Sequence, residues 1–169
     1  MFFLRKRMPA LILSVPAVLA FLSVALDARA QNSTTVARAT LRFQEAQLLR
    51  QAYMSLASGN HDYNGHRAQA MSAVRSVLKI LDDVVLKNGT AQQKAATTQG
   101  QAAVANAAAA AKQSPALHED QGSSDKLLQQ AAQTLTQVRA TMVTNKQRPK
   151  VLGYVDTALS EIATALKTR

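Results

Sequence analysis

Cysteine and tryptophan are absent from this chain of 169 residues, and its aromatic residues are three tyrosines and four phenylalanines. The lack of cysteine excludes disulfide bonds, thiolate metal sites, c-type haem attachment and a lipidated N-terminal cysteine. A domain of this kind has to be stabilised by packing alone. The scarcity of aromatic rings also disfavours a surface on which nucleic-acid bases stack.

Common catalytic patterns are missing as well. The glutamates Glu45, Glu119 and Glu161 have no histidine three residues later, so the Glu-x-x-His pairs of di-iron bundles are lacking. There is no Gly-x-Ser-x-Gly, no P-loop and no dinucleotide fingerprint. Asp82 and Asp83 are adjacent and would point in different directions on a helix. We therefore expect neither enzymatic activity nor a bound cofactor.

The first 30 residues have the three parts of a secretory signal peptide. Arg5-Lys6-Arg7 is followed by an apolar run from Met8 to Leu26 and then by Ala28-Arg29-Ala30. The run is long enough for an uncleaved membrane anchor, but Pro9 and Pro16 and the small residues favour cleavage after Ala30. Either alternative places the rest outside the cytoplasm. We expect an exported protein, periplasmic or secreted from a bacterium.

The remainder of the chain is basic. The full sequence has 20 Lys and Arg against 10 Asp and Glu, and removal of residues 1–30 leaves 16 against nine, a net charge of +7. Such an excess favours anionic partners. The basic residues are scattered and form no recognition motif, so nucleic acid is not an expected partner.

Four segments have apolar residues at intervals of three and four, which predicts amphipathic helices. They cover about 36–57, 65–87, 123–145 and 149 to the C-terminus, with Asp62 or Asn64 available to cap the second. The last three seams are Met71, Val74, Leu78, Leu81 and Val85; Leu128, Ala131, Leu135, Val138 and Met142; and Leu152, Val155, Leu159, Ile162 and Leu166.

The first and second pairs of helices align with each other as an internal repeat. Hairpin one spans 36–87, hairpin two spans 123–168, and an Ala-rich segment joins them at 90–122. That joining segment lacks an apolar stripe, so we expect a flexible connector, with a transient helix over 91–112 as the alternative. The sequence therefore predicts an all-α protein, in which one domain at 31–169 forms a four-helix up-down bundle of two repeated hairpins.

The turn His61-Asp62-Tyr63-Asn64-Gly65-His66-Arg67 contains two of the three histidines. One interpretation is a metal site formed by His61, Asp62 and His66. The other is an ordinary turn with Tyr63 packed over the helix end. Histidines five residues apart are not an established ligand spacing, which favours the ordinary turn.

Three segments carry a family resemblance: Leu49-Arg50-Gln51-Ala52-Tyr53, the turn 61–67, and Ala70-Met71. They resemble a group of small exported bacterial proteins of unknown function. That group shares a His-Asp-Tyr-x-Gly-His-Arg turn between helices and a second hairpin near the C-terminus. The resemblance covers residues 48–81 best and 123–166 weakly, and the connector here is longer. It implies an exported helical protein and supplies no activity.

An up-down-up-down bundle would bring the turn at 58–66 and the turn at 144–149 to the same end. Together they would form a basic tip of Arg67, Lys146, Arg148 and Lys150 beside two helix N-termini. The expected function is noncatalytic binding of an anionic envelope partner by this basic tip. A metal-binding bundle and a structural or chaperone-like module that engages other helices are the alternatives.

Overall fold

The computed structural model describes residues 17–59, 61–113, 121–143 and 148–168. Over these residues the chain forms five α-helices and one 3-10 turn, Tyr63–Gly65, and no β-strand. The helices are α1 (Ala17–Ser58), α2 (His66–Asn88), α3 (Ala91–Gln113), α4 (Gln121–Val143) and α5 (Pro149–Ala165). The prediction of an all-α protein is confirmed.

Residue contacts divide the chain into a unit that ends at Thr34 and a compact unit of Thr35–Arg169. Helix α1 already begins at Ala17, within the proposed signal peptide. The basic residues at positions 5–7 lie outside the described residues, and cleavage after Ala30 stays a prediction. Among the helices described, none has both the length and the apolar character required to cross a membrane.

The core of the larger unit is built from the predicted seams. Buried seam residues are Val74, Leu78, Leu81 and Val85 of α2; Leu128, Ala131, Leu135, Val138 and Met142 of α4; and Val155 and Ile162 of α5. Helix α5 packs against both α2 and α4. Its buried stripe also contains Val151, Ala158 and Ala165, whereas the predicted Leu152, Leu159 and Leu166 are only partly buried against the core. Each buried Val or Leu side chain contributes about 1.5–3 kcal/mol.

Helix α3 occupies most of the segment that was expected to be a flexible connector at 90–122. Alanine has the highest helix propensity, and a capping box supports the first turn. The backbone N–H of Gln93 donates to Thr90 Oγ1 at 3.3 Å, and the backbone N–H of Thr90 donates to Gln93 Oε1 at 2.9 Å. Thr97 and Val104 are buried, so the helix packs against its neighbours despite its weak apolar stripe.

Candidate functional site

The turn between α1 and α2 is held by an unusual backbone and a buried ring. Tyr63, Asn64 and Gly65 have φ values of 51°, 54° and 84°, a region in which a bulky residue such as tyrosine is rare. The Tyr63 ring is buried, and its hydroxyl donates to Asp125 of α4 at 2.7 Å. Gly65, rather than the expected Asp62 or Asn64, is the N-cap of α2. Tyr63 thus anchors this turn to the start of α4.

The histidines of the proposed metal site interact with different neighbours. The His61 ring lies edge-on against Tyr63, with centroids 4.5 Å apart. His66 Nδ1 lies 2.7 Å from Glu161 Oε2 on α5, while Asp62 is exposed. Within the described ranges, no group of three or more His, Asp or Glu residues is placed to hold a metal ion.

Arg67, the first residue of the proposed basic tip, binds backbone carbonyl groups. Its Nη1 donates to the carbonyl oxygen of Leu56 at 3.1 Å and to that of Gly59. Burial lowers the pKa of Arg67 below its ordinary value. This side chain therefore closes the end of α1 and is only partly available to a ligand.

Arg148 and Lys150 lie beside a different part of α1. Arg148 Nη1 donates to Glu45 Oε2 at 2.8 Å, and Arg42 Nη1 donates to the same oxygen at 3.2 Å. Burial lowers the pKa of Arg148 to about 10. Lys150 is exposed, and Lys146 lies outside the described residues.

These contacts place two residues of the proposed basic tip, Arg67 and Arg148, at different positions along α1. Leu56 binds Arg67 and Glu45 binds Arg148, and eleven residues of helix place these two positions about 16 Å apart along α1. The prediction that Arg67 and Arg148 share one end is wrong. Its physical reason is α3, which was not expected to form a packed helix between α2 and α4, so that Arg148 before α5 contacts α1 eleven residues ahead of the position that binds Arg67.

A groove between α2 and α3, which we call the α2–α3 groove, offers a better site. It has two cavities, of about 390 Å³ and 220 Å³, and both are lined by Ser72 and Arg75. The larger cavity is also lined by Leu78, Lys79, Asp82, Gln101, Val104 and Ala105. The smaller cavity is also lined by Tyr53, Arg67, Met71, Ala108, Ala111 and Lys112. The larger volume lies within the range of small-molecule pockets.

The α2–α3 groove exists because α3 is rich in alanine. A side chain that ends at Cβ leaves space where a leucine would fill the gap to α2, and Ala105, Ala108 and Ala111 line this space. The high alanine content of this segment was visible in the sequence. Its significance depended on the docking of α3 against α2, which the sequence did not reveal.

The groove is predominantly cationic. Arg75, Lys79 and Lys112 are exposed on its rim, and within the described part of the chain they make no ion pair. The one carboxylate in its lining, Asp82, accepts a hydrogen bond from Arg50 Nη2. Burial raises the pKa of Asp82, and Arg50 partly offsets that rise. The rim therefore carries positive charge, and the Asp82 carboxylate in the lining is already paired with Arg50.

Tyr53 places a hydroxyl group in the smaller cavity. Its side chain is only 2% exposed, yet the described residues supply no hydrogen-bond partner for this hydroxyl. Burial raises its pKa, while the nearby charge of Arg75 offsets part of the rise. Ser72 and Arg75 offer hydrogen-bond donors where the two cavities meet, and Tyr53 offers one in the smaller cavity.

Comparison of the chain with protein-family models, with curated proteins and with solved structures finds no match.

Proposed function

We propose that this protein is an exported, noncatalytic binding protein that recognises an anionic partner in the α2–α3 groove. The observation that carries the proposal is a set of three cations, Arg75, Lys79 and Lys112, around cavities with apolar walls; none of the three forms an ion pair with another described residue. The basic excess of the whole chain favours the same class of partner.

An anion in this groove would be bound more strongly than one on an open surface. Apolar walls exclude water and lower the local dielectric constant, which strengthens charge pairing. Arg75 can present two parallel N–H donors to one carboxylate or phosphate group. The Asp82 carboxylate opposes this only weakly, since it is paired with Arg50.

The envelope is the proposed location of the partner, because the charged and apolar pattern of residues 5–30 is that of a signal peptide. We also propose that α1 with α2 and α4 with α5 are copies of one hairpin that form a four-helix bundle, with α3 packed outside. This arrangement is supported by the similar seams and by the packing of α5 against α2 and α4.

The anionic apolar dye 8-anilinonaphthalene-1-sulfonate tests the proposal. We expect its fluorescence to rise on binding to the folded protein, and the binding to weaken with added salt. The double variant Arg75→Gln/Lys79→Gln should weaken binding at least tenfold, roughly 1.4 kcal/mol. Lys126→Gln/Lys150→Gln removes the same charge from exposed positions on α4 and α5 and should bind like wild type. Equal weakening by both pairs would reduce the effect to net charge and refute the proposed site.

A further inference from the structure

The ligand of the α2–α3 groove can be defined further from the placement of its donors, and this step rests on the proposed function. Arg75 and Ser72 line both cavities, so they lie where the two cavities meet. Tyr53 is 2% exposed and lines the smaller cavity, and its hydroxyl has no hydrogen-bond partner among the described residues. This hydroxyl can donate a hydrogen bond to an acceptor bound in the cavity.

Apolar walls extend from this donor cluster in both directions. Leu78, Val104 and Ala105 line the larger cavity, and Met71, Ala108 and Ala111 line the smaller one. From Lys79 back to Arg67 the groove follows twelve residues of α2, or about 18 Å. A helix of about 10–12 Å in diameter is too bulky for cavities of these volumes, whereas a single alkyl chain is thin enough.

The charge of the donor cluster matches one negative charge. Arg75 supplies one positive charge, and Tyr53 and Ser72 supply neutral hydroxyls. Lys79 lines only the larger cavity, and Lys112 and Arg67 line only the smaller one, where Arg67 donates to backbone carbonyl oxygens. A doubly charged phosphate monoester would require a second cation at the junction, but a planar carboxylate requires a single guanidinium.

We propose that the α2–α3 groove binds a single-chain acyl carboxylate, with its carboxylate held by Arg75, Tyr53 and Ser72 and its alkyl chain along α3. The carboxylate would accept the Tyr53 proton in a hydrogen bond without any chemical change. The acyl chain would pack against the alanines of α3 that line the groove.

Calorimetric titration of the full chain with three monomeric probes tests this inference: decanoate, 1-decanol and acetate. Decanoate should bind, 1-decanol should bind about tenfold more weakly because it lacks the charge, and acetate should show no binding. Acetate binding as tightly as decanoate would overturn the role of the chain. Equal affinity for decanoate and 1-decanol would overturn the carboxylate subsite. In a separate comparison of two longer probes, tighter binding of dodecyl phosphate than of dodecanoate would also overturn it.

Two variants locate the probe within the groove. Tyr53→Phe keeps the buried ring and should weaken decanoate about tenfold while leaving 1-decanol unchanged. Ala105→Leu should weaken both probes by filling the larger cavity. Ala103→Leu is the control, because residue 103 is exposed about 200° around α3 from residue 105. Equal effects of the two leucine substitutions would refute a chain along this wall.

The two proposals fail in different ways. If decanoate does not bind while the sulfonate dye still binds through Arg75 and Lys79, the acyl carboxylate is excluded and the anion-binding groove stands. If neither ligand binds, both proposals are refuted.

Discussion

At the residue scale, the most constrained contact joins α1, α2 and α3. Arg50 of α1 donates to Asp82 of α2, and Gly100 of α3 lies against the same guanidinium. Arg50 is 6% exposed, and its Nε and Nη1 have no partner among the described residues. A Cβ atom at position 100 would lie only 2.7 Å from Arg50 Cδ. Glycine is therefore required at this point by close approach.

This contact predicts that Gly100→Ala destabilises the protein, although alanine favours a helix by about 1 kcal/mol over glycine. The added methyl group would push Arg50 away from Asp82 and leave two buried charges poorly paired. In the background Arg50→Ala/Asp82→Ala the obstructing side chain is gone, and Gly100→Ala should stabilise by about 1 kcal/mol. Urea unfolding of wild type, Gly100→Ala, the double variant and the triple variant gives the coupling free energy between position 100 and the Arg50–Asp82 pair. The same effect of Gly100→Ala in both backgrounds would contradict the assignment.

Tyr63 predicts a specific dependence of stability on pH. Burial, followed by the hydrogen bond to Asp125, raises the pKa of Tyr63 in the folded state. Because the folded state holds this proton more tightly, its stabilisation is present below about pH 10 and is lost as the pH rises through the raised pKa. The free energy of unfolding should fall more steeply above pH 10 in wild type than in Tyr63→Phe.

At neutral pH, Tyr63→Phe should cost about 1.5–3 kcal/mol, since it removes a hydrogen bond to a carboxylate. Tyr154→Phe, at a partly buried position on α5, controls for the loss of a tyrosine hydroxyl. Parallel alkaline profiles for wild type and Tyr63→Phe would mean that Tyr63 does not contribute in this way.

At the scale of elements, α3 is the helix whose existence depends most on local signals. The capping box of Thr90 and Gln93 satisfies two amide groups, and Gln93 Nε2 also donates to Thr40 Oγ1 of α1 at 3.1 Å. The first turn of α3 is thus fixed both within the helix and to its neighbour.

We predict that Thr90→Ala/Gln93→Ala destabilises the first turn of α3 by about 0.5–2 kcal/mol. Hydrogen exchange should become faster in the amides at 91–97 and change little in α5. Thr98→Ala is the control, because the Thr98 hydroxyl binds only the carbonyl of Lys94 one turn earlier. Unchanged exchange in the double variant would show that the capping box does not hold α3.

The predictability of the elements followed their apolar periodicity. The seams of α2 and α4 are buried, apart from the partly buried Met71, because apolar residues at intervals of three and four share one helix face. In α5, apolar residues occupy adjacent positions such as Val151 and Leu152, so periodicity alone left the register uncertain by one residue. Helix α3 was missed as a packed element because its anchors, Thr90, Gln93 and Gly100, are polar or small.

At the scale of the whole molecule, the number of helices between two loops decides whether those loops lie at the same end. The added helix α3 changes where α5 begins, so Arg148 binds Glu45 while Arg67 binds Leu56 and Gly59. The anionic class of partner that composition suggests stays a prediction, and the location of the site could not follow from composition. The α2–α3 groove appears only when α3 is placed against α2.

The most direct test of the α2–α3 groove is amide chemical-shift mapping with 8-anilinonaphthalene-1-sulfonate on the ¹⁵N-labelled full chain. The account predicts saturable shifts concentrated at residues 67–79 of α2 and 101–112 of α3, and their loss in Arg75→Gln/Lys79→Gln. Shifts concentrated at 145–151 instead, or spread evenly over all exposed lysines and arginines, would contradict it.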